Sequence, residues 1–306
     1  MNKMKKIIAW LASVIMILTC MPAFAEEKPV IVATNFVCYD FARQIVGDYA
    51  SVTLLIQPGT EVHTYEPSPA DILRIKDADL FVYIGGESDA WVESILSSFD
   101  NPPKQVKLMD AVEHDDDHDD NHDAHGNHDH LAHDEHIWTS PDNAEDMLEY
   151  LEDAICRMDK AHAKQYHANA EAYEEEIERI DDAFEDVTEH AKVRTIVFAD
   201  RFPFLHFVNE YHLDYMAAYP SCGQDMEPSA QTMMELMECV MKNKIDTIYI
   251  IEMSSGNIAQ TIAEETGAEI ATMYSCQTVT ADDFQAGETY VSLMRKNVEA
   301  LKKGLQ

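Results

Sequence analysis

Four side chains able to bind a divalent metal stand in short, distinctive segments. His63 lies in PGTEVHTYEPSP (residues 58–69) and His136 in DEHIWTSP (134–141). Asp200 lies in FADRFPF (198–204), and Glu252 directly follows TIYII (247–251). His63, Asp200 and Glu252 each come just after a strand-like apolar run, where open α/β sheets place their ligands. His136 abuts Ile137 and Trp138, which anchor it at the end of a polar stretch. Two neutral imidazoles and two carboxylates suit Zn2+ or Mn2+, and an oxygen-rich set tilts toward the harder ion. A metallohydrolase would need an open metal position and a general base. The chain has no HExxH, GxSxG, P-loop or GxGxxG motif, so no enzyme is predicted.

The stretch EHDDDHDDNHDAHGNHDHLAHDEHIW (113–138) carries eight histidines. His136 belongs to the anchored motif at its end. The other seven, His114, His118, His122, His125, His128, His130 and His133, sit among like-charged acids without apolar periodicity. That composition predicts a mobile loop over 113–135 that collects metal weakly and builds no fixed cage. The whole chain has 57 acidic and 22 basic residues, a formal charge of −35. Such a surface attracts cations and repels nucleic acid and anionic lipid.

These segments need a scaffold to bring them together. At 306 residues and 46% hydrophobic content, the chain can hold one large or two ordinary domains. Residues 1–25 read as a secretory signal: a basic start, an apolar run and Ala23-Phe24-Ala25 before Glu26. Cys20 would permit a lipid anchor, which the preceding Leu18-Thr19 fits poorly. The expected location is therefore the periplasm or the cell surface. Of the five later cysteines none forms a CxxC, and Cys222 with Cys276 is the first pairing expected. Strand-like runs at 30–34, 51–56, 80–84, 195–198, 214–217, 247–251 and 268–273 alternate with helical segments. This predicts α/β lobes with mainly parallel sheets. Helical periodicity from 141 persists for close to fifty residues, as a first-lobe helix running into, or closely followed by, a long connecting one. The domains read as 26–160, a linking helix over 161–193, and 194–306.

Both histidine motifs, in this order, resemble those of the metal-specific solute-binding proteins of bacterial ABC transporters, the zinc and manganese uptake group. The likeness extends to the linking helix, to IIEMSSGNIAQTIAEETGA (250–268) and to the terminal helix. It implies two lobes bridged by a rigid helix, a metal in the cleft, and delivery by a monomer to a membrane permease. A histidine-rich loop before the second motif is typical of zinc members, so Zn2+ is expected ahead of Mn2+. The alternatives are a manganese- or iron-type member, or a secreted metal-buffering or adhesin-like protein. His63 and His136 match the family ligands. Where zinc members have a third histidine, and manganese members a glutamate, this chain has Ala199. The late loop that supplies an aspartate reads MYSCQTV (273–279), without a carboxylate. Asp200 and Glu252 are expected to complete the set, with Glu227 and Cys276 as alternatives; His206 lies too far along its helix for a simple replacement.

Overall fold

The computed structural model describes residues 28–112, 134–219 and 228–306. The expected leader, the seven loop histidines, Cys222 and Glu227 lie outside them. Eight strands are present: β1 (Val30–Ala33), β2 (Ser51–Leu54), β3 (Leu80–Tyr83), β4 (Lys104–Lys107), β5 (Thr195–Arg201), β6 (Asp214–Tyr219), β7 (Thr247–Ile251) and β8 (Glu269–Met273). The helices are α1 (Phe36–Val46), α2 (Pro69–Lys76), α3 (Val92–Leu96), α4 (Pro141–Met158), α5 (Ala163–Glu189), α6 (Leu205–Glu210), α7 (Ala230–Asn243), α8 (Asn257–Thr266), α9 (Ala281–Ala286) and α10 (Tyr290–Leu305).

The strands form two parallel sheets, in order β2-β1-β3-β4 and β6-β5-β7-β8. Apolar runs such as VIVA, LFVY and TIYII become central strands because both sheet faces are covered by helices. β4 escapes the periodicity. Its sequence KQVK buries only Val106, as suits an edge strand guarded by lysines. Helix starts follow local chemistry. Ser68 and Asp71 form a capping box ahead of α2, and Ser140 caps α4 with Pro141 in the first turn.

The long helical stretch is two helices. Asp159 turns the chain between them, accepting from the Ala161 amide at 3.1 Å, His162 Nδ1 at 2.7 Å and the Tyr166 hydroxyl at 2.8 Å. α5 then runs 27 residues, about 40 Å at 1.5 Å per residue. Its buried residues Tyr166, Ala170, Tyr173, Ile177, Ile180, Phe184 and Val187 recur every three or four positions. Small Ala170 completes a stripe that looks broken in the sequence. This stripe packs on α1, α4 and α10, so the helix touches both halves of the molecule.

One hydrophobic cluster therefore runs from Ile31 to Leu305 through both sheets' helices. At its centre is the fully buried Asp40 of α1. Its carboxylate accepts from Arg43 Nε (2.7 Å), from the Tyr173 hydroxyl of α5 (2.6 Å) and from the Tyr290 amide of α10 (2.7 Å). Removing a buried acceptor strands every donor it served. Asp40→Ala is expected to lower unfolding free energy by about 3 kcal/mol in denaturant titration, and Asp40→Asn, which keeps one acceptor oxygen, by less.

Candidate metal centre

His63 lies in the segment between β2 and α2. The Ser88 hydroxyl stands 3.0 Å from its Nδ1, and Glu135 Oε1 stands 3.3 Å away. Ser88 also gives its hydroxyl proton to Glu135 Oε1 and its amide to Oε2 (2.8 Å). With that proton committed, Ser88 accepts from His63, so Nδ1 carries the ring proton and Nε2 keeps its lone pair. His63 Nε2 is buried without a hydrogen-bond partner.

His136 is arranged the same way. Its Nδ1 and its amide both donate to Asp134 Oδ1, at 3.0 and 2.9 Å, and its Nε2 is likewise buried. The His136 pairing holds the Asp134 carboxyl below its usual range, against the upward push of burial. The two rings lie 5.7 Å apart, and His63, Glu135 and His136 present ligand atoms within 4.8 Å of one another. Next in the chain, the fully buried Trp138 donates its indole N–H to the Ser275 carbonyl (2.7 Å), and its own carbonyl accepts from the Tyr290 hydroxyl (2.8 Å). His136 is thereby fixed against the second lobe.

The carboxyl edges of the sheets face each other across a cavity of about 90 Å³ lined by His63, Asp200, Arg201, Glu252, Ser275 and Gln277 among others. Asp200 lies near the carboxyl end of β5 and Glu252 directly follows β7; from these two adjacent strands the chain crosses over to opposite sides of the sheet, the usual ligand position. The pairing of β5 with β6 carries one extra residue between Phe198 and Arg201, and such bulges re-aim side chains. Ala199 packs into the second-lobe core, while Asp200 lines the cavity. Asp200 Oδ1 accepts from the Arg201 amide (2.8 Å); Oδ2 is buried without a hydrogen-bond partner.

Glu252 lines the cavity too, with both oxygens engaged by Ser275, from the hydroxyl and from the amide at 2.7 Å. It braces the carbonyl that receives Trp138. Cys276 is a buried thiol pushed well above its usual range by desolvation, and the partner expected for it, Cys222, lies outside the described residues. His206 Nε2 stands 3.0 Å from the Asp134 carbonyl, supporting the backbone beside His136. Burial lowers its pKa.

The sequence reading missed Ser88, Glu135 and Gln277. Gln277 reaches across the cleft to Glu135 Oε1 and Ser88 Oγ, both at 3.4 Å. Glu135 sits inside the quoted motif, and the signal for it was Gly86: a Cβ there would come within 2.2 Å of the Glu135 side chain.

Burial pushes Glu252 up to about 7, and the nearby Asp200 charge adds to the shift. Its unfolded value is about 4.3. The native protein thus binds more protons between those values, and stability falls as pH rises through that window. Glu145 and Glu210, also raised to about 7, act in the same direction. The melting temperature of metal-free protein should drop between about pH 5 and 8, and Glu252→Gln should flatten part of that drop. Identical slopes would show that Glu252 does not titrate there.

The model of the zinc-uptake complex component A family, ZnuA, periplasmic, matches residues 31–304. The zinc-binding lipoprotein AdcA of Streptococcus pneumoniae is 33% identical over 99% of this chain, which spans 61% of that protein's length. The high-affinity zinc uptake system protein ZnuA of Bacillus subtilis is 31% identical over 91% of this chain and 88% of its own. The crystal structure of the Zn(II)-bound ZnuA-like domain of Streptococcus pneumoniae AdcA superposes with a TM-score of 0.75 at 33% identity, over 91% of this chain and 99% of that one. A family match running from the first strand to the last helix leaves one assignment: the chain belongs to the ZnuA family of zinc-uptake component A proteins.

Proposed function

We propose that this protein captures a divalent metal, zinc before manganese, between its lobes and delivers it to the membrane permease of an ABC uptake system. It works as a monomer outside the cytoplasmic membrane, in the periplasm or at the cell surface, after losing residues 1–25. The observation that carries this reading is the pair of buried imidazoles, each with Nδ1 held by a carboxylate-bearing network, whose ligand atoms lie with that of Glu135 within 4.8 Å of one another. The family is one of solute-binding proteins, which fits the absence of a catalytic motif. The names of the relatives, one zinc-binding and one of zinc uptake, favour zinc. Imidazole donors also bind Zn2+ more tightly than Mn2+.

We assign His63 and His136 as ligands through Nε2 and Asp200 as the third through Oδ2. Glu135 serves His63 as its orienting carboxylate, and Asp134 serves His136. Glu252 is assigned to bracing Ser275, since both its oxygens are already occupied. Metal binding needs unprotonated Nε2 atoms, so affinity falls below about pH 6. The loop histidines 114–133 collect metal for the cleft with weaker affinity.

Competition titrations with a chromogenic chelator should find one tight zinc site in the wild type. His63→Ala and His136→Ala should each abolish it. Glu135→Gln, which alters only an orienting group, should weaken it by about 10- to 100-fold. Deleting residues 113–134 should leave the tight site in place; its loss with the loop would overturn the assignment.

A further inference from the structure

The metal reading above accounts for what orients the His63 ring but not for what holds its backbone, and the ion pair at the cavity rim supplies an answer. Between β2 and α2 the backbone of residues 55–68 forms no helix or strand. Two contacts tie this segment to the second lobe. The Gly59 amide donates to the Val279 carbonyl at 2.9 Å, and Arg201 Nη1 meets Glu61 Oε2 at 2.8 Å. Glu61 is a bridge, because its other oxygen accepts from the His63 amide at 3.3 Å. One carboxylate therefore joins the end of β5 to the backbone of a metal ligand. Arg201 directly follows Asp200, so the same residue pair reaches both walls of the cavity.

His63 Nε2 is buried, so metal can enter or leave only if part of the wall moves. Thr60, Glu61, Val62 and His63 make up one continuous piece of that wall. Gly59, at φ +82 where only glycine sits without strain, precedes it, and a Cβ built there would meet nothing within 4 Å. The Arg201 and Glu61 side chains are 31% and 39% exposed, so their bond is open to solvent and to screening by salt. The buried contacts of His136 have no such access.

We infer that Arg201 and Glu61 are positioning residues: their ion pair holds the 60–63 wall, and with it His63, over the bound metal and sets how fast the metal leaves. The pair closes the segment against the second lobe; when it opens, the segment turns about Gly59 and takes the imidazole with it. A pair that merely stapled the lobes together would alter stability without singling out metal release.

The test uses the full chain loaded with one equivalent of zinc and mixed with excess chelator in a stopped-flow instrument. Arg201→Gln and Glu61→Gln should each speed release about two- to fivefold, the range open to a partly exposed pair. The double variant should be no faster than either single one, and Arg201→Lys should recover most of the wild-type rate. Raising salt from about 0.05 to 1 M should speed release from the wild type and leave the Gln variants unmoved. Unchanged release in both Gln variants, or faster release with the wild-type salt response retained, overturns the inference while leaving zinc capture standing. Failure of the wild type to hold one zinc that His63→Ala loses overturns both.

Discussion

The buried carboxylate of Asp40 is where the two lobes stop being independent bodies. It gathers donors from α1, α5 and α10, three elements drawn from the beginning, middle and end of the chain. Without it, Tyr173 and the first turn of α10 would meet in the core with unsatisfied polar groups. With it, the hydrophobic cluster is continuous across the joint. The cavity is consequently a fixed feature of a single packed body. Interiors at this density resist gradual deformation, so the frame around the cavity is set by packing.

That rigidity continues into the site along a chain of bonds. Glu252 holds Ser275, Ser275 receives the Trp138 indole, and Trp138 is two residues from His136. On the other side Ser88 and Glu135 fix His63, and Gln277 ties them to the second lobe. Most carboxylates of the site thus act on the imidazoles or on the frame. Only Asp200 brings a buried oxygen without a hydrogen-bond partner into the cavity. In the proposed reading, a cation held between His63 and His136 exchanges its water shell for two oriented imidazole nitrogens and a nearby set of negative charge, which offsets its desolvation. Rigidity sits on the His136 side, whereas His63 lies on irregular backbone with a solvent-accessible tie, so the two ligands differ in how readily they can move.

Much of this was legible in the sequence because it depends on local patterns. Doubly covered parallel strands show as apolar runs, and the two histidine motifs carry His63 and His136 on their face. The parts that were hidden depend on distant partners or on register. KQVK carries no apolar run to mark it, and it pairs as β4 along the edge that β3 offers. The helix break at Asp159 needed the Tyr166 hydroxyl, one turn into the next helix. The one-residue irregularity between Phe198 and Arg201, beside which Asp200 lines the cavity, is signalled by no composition. Ser88 and Gln277 lie 189 residues apart, and nothing short of the fold brings them to one carboxylate.

The central claim is that the metal binds to two imidazoles held between rigid lobes. It is tested most directly by zinc K-edge X-ray absorption on the protein loaded with a single equivalent. The account predicts two imidazole nitrogens at about 2.0–2.1 Å with oxygen completing the shell, and the same spectrum after residues 113–134 are removed. A sulfur scatterer at about 2.3 Å, or a shell of three or more imidazoles that disappears with the loop, would contradict it.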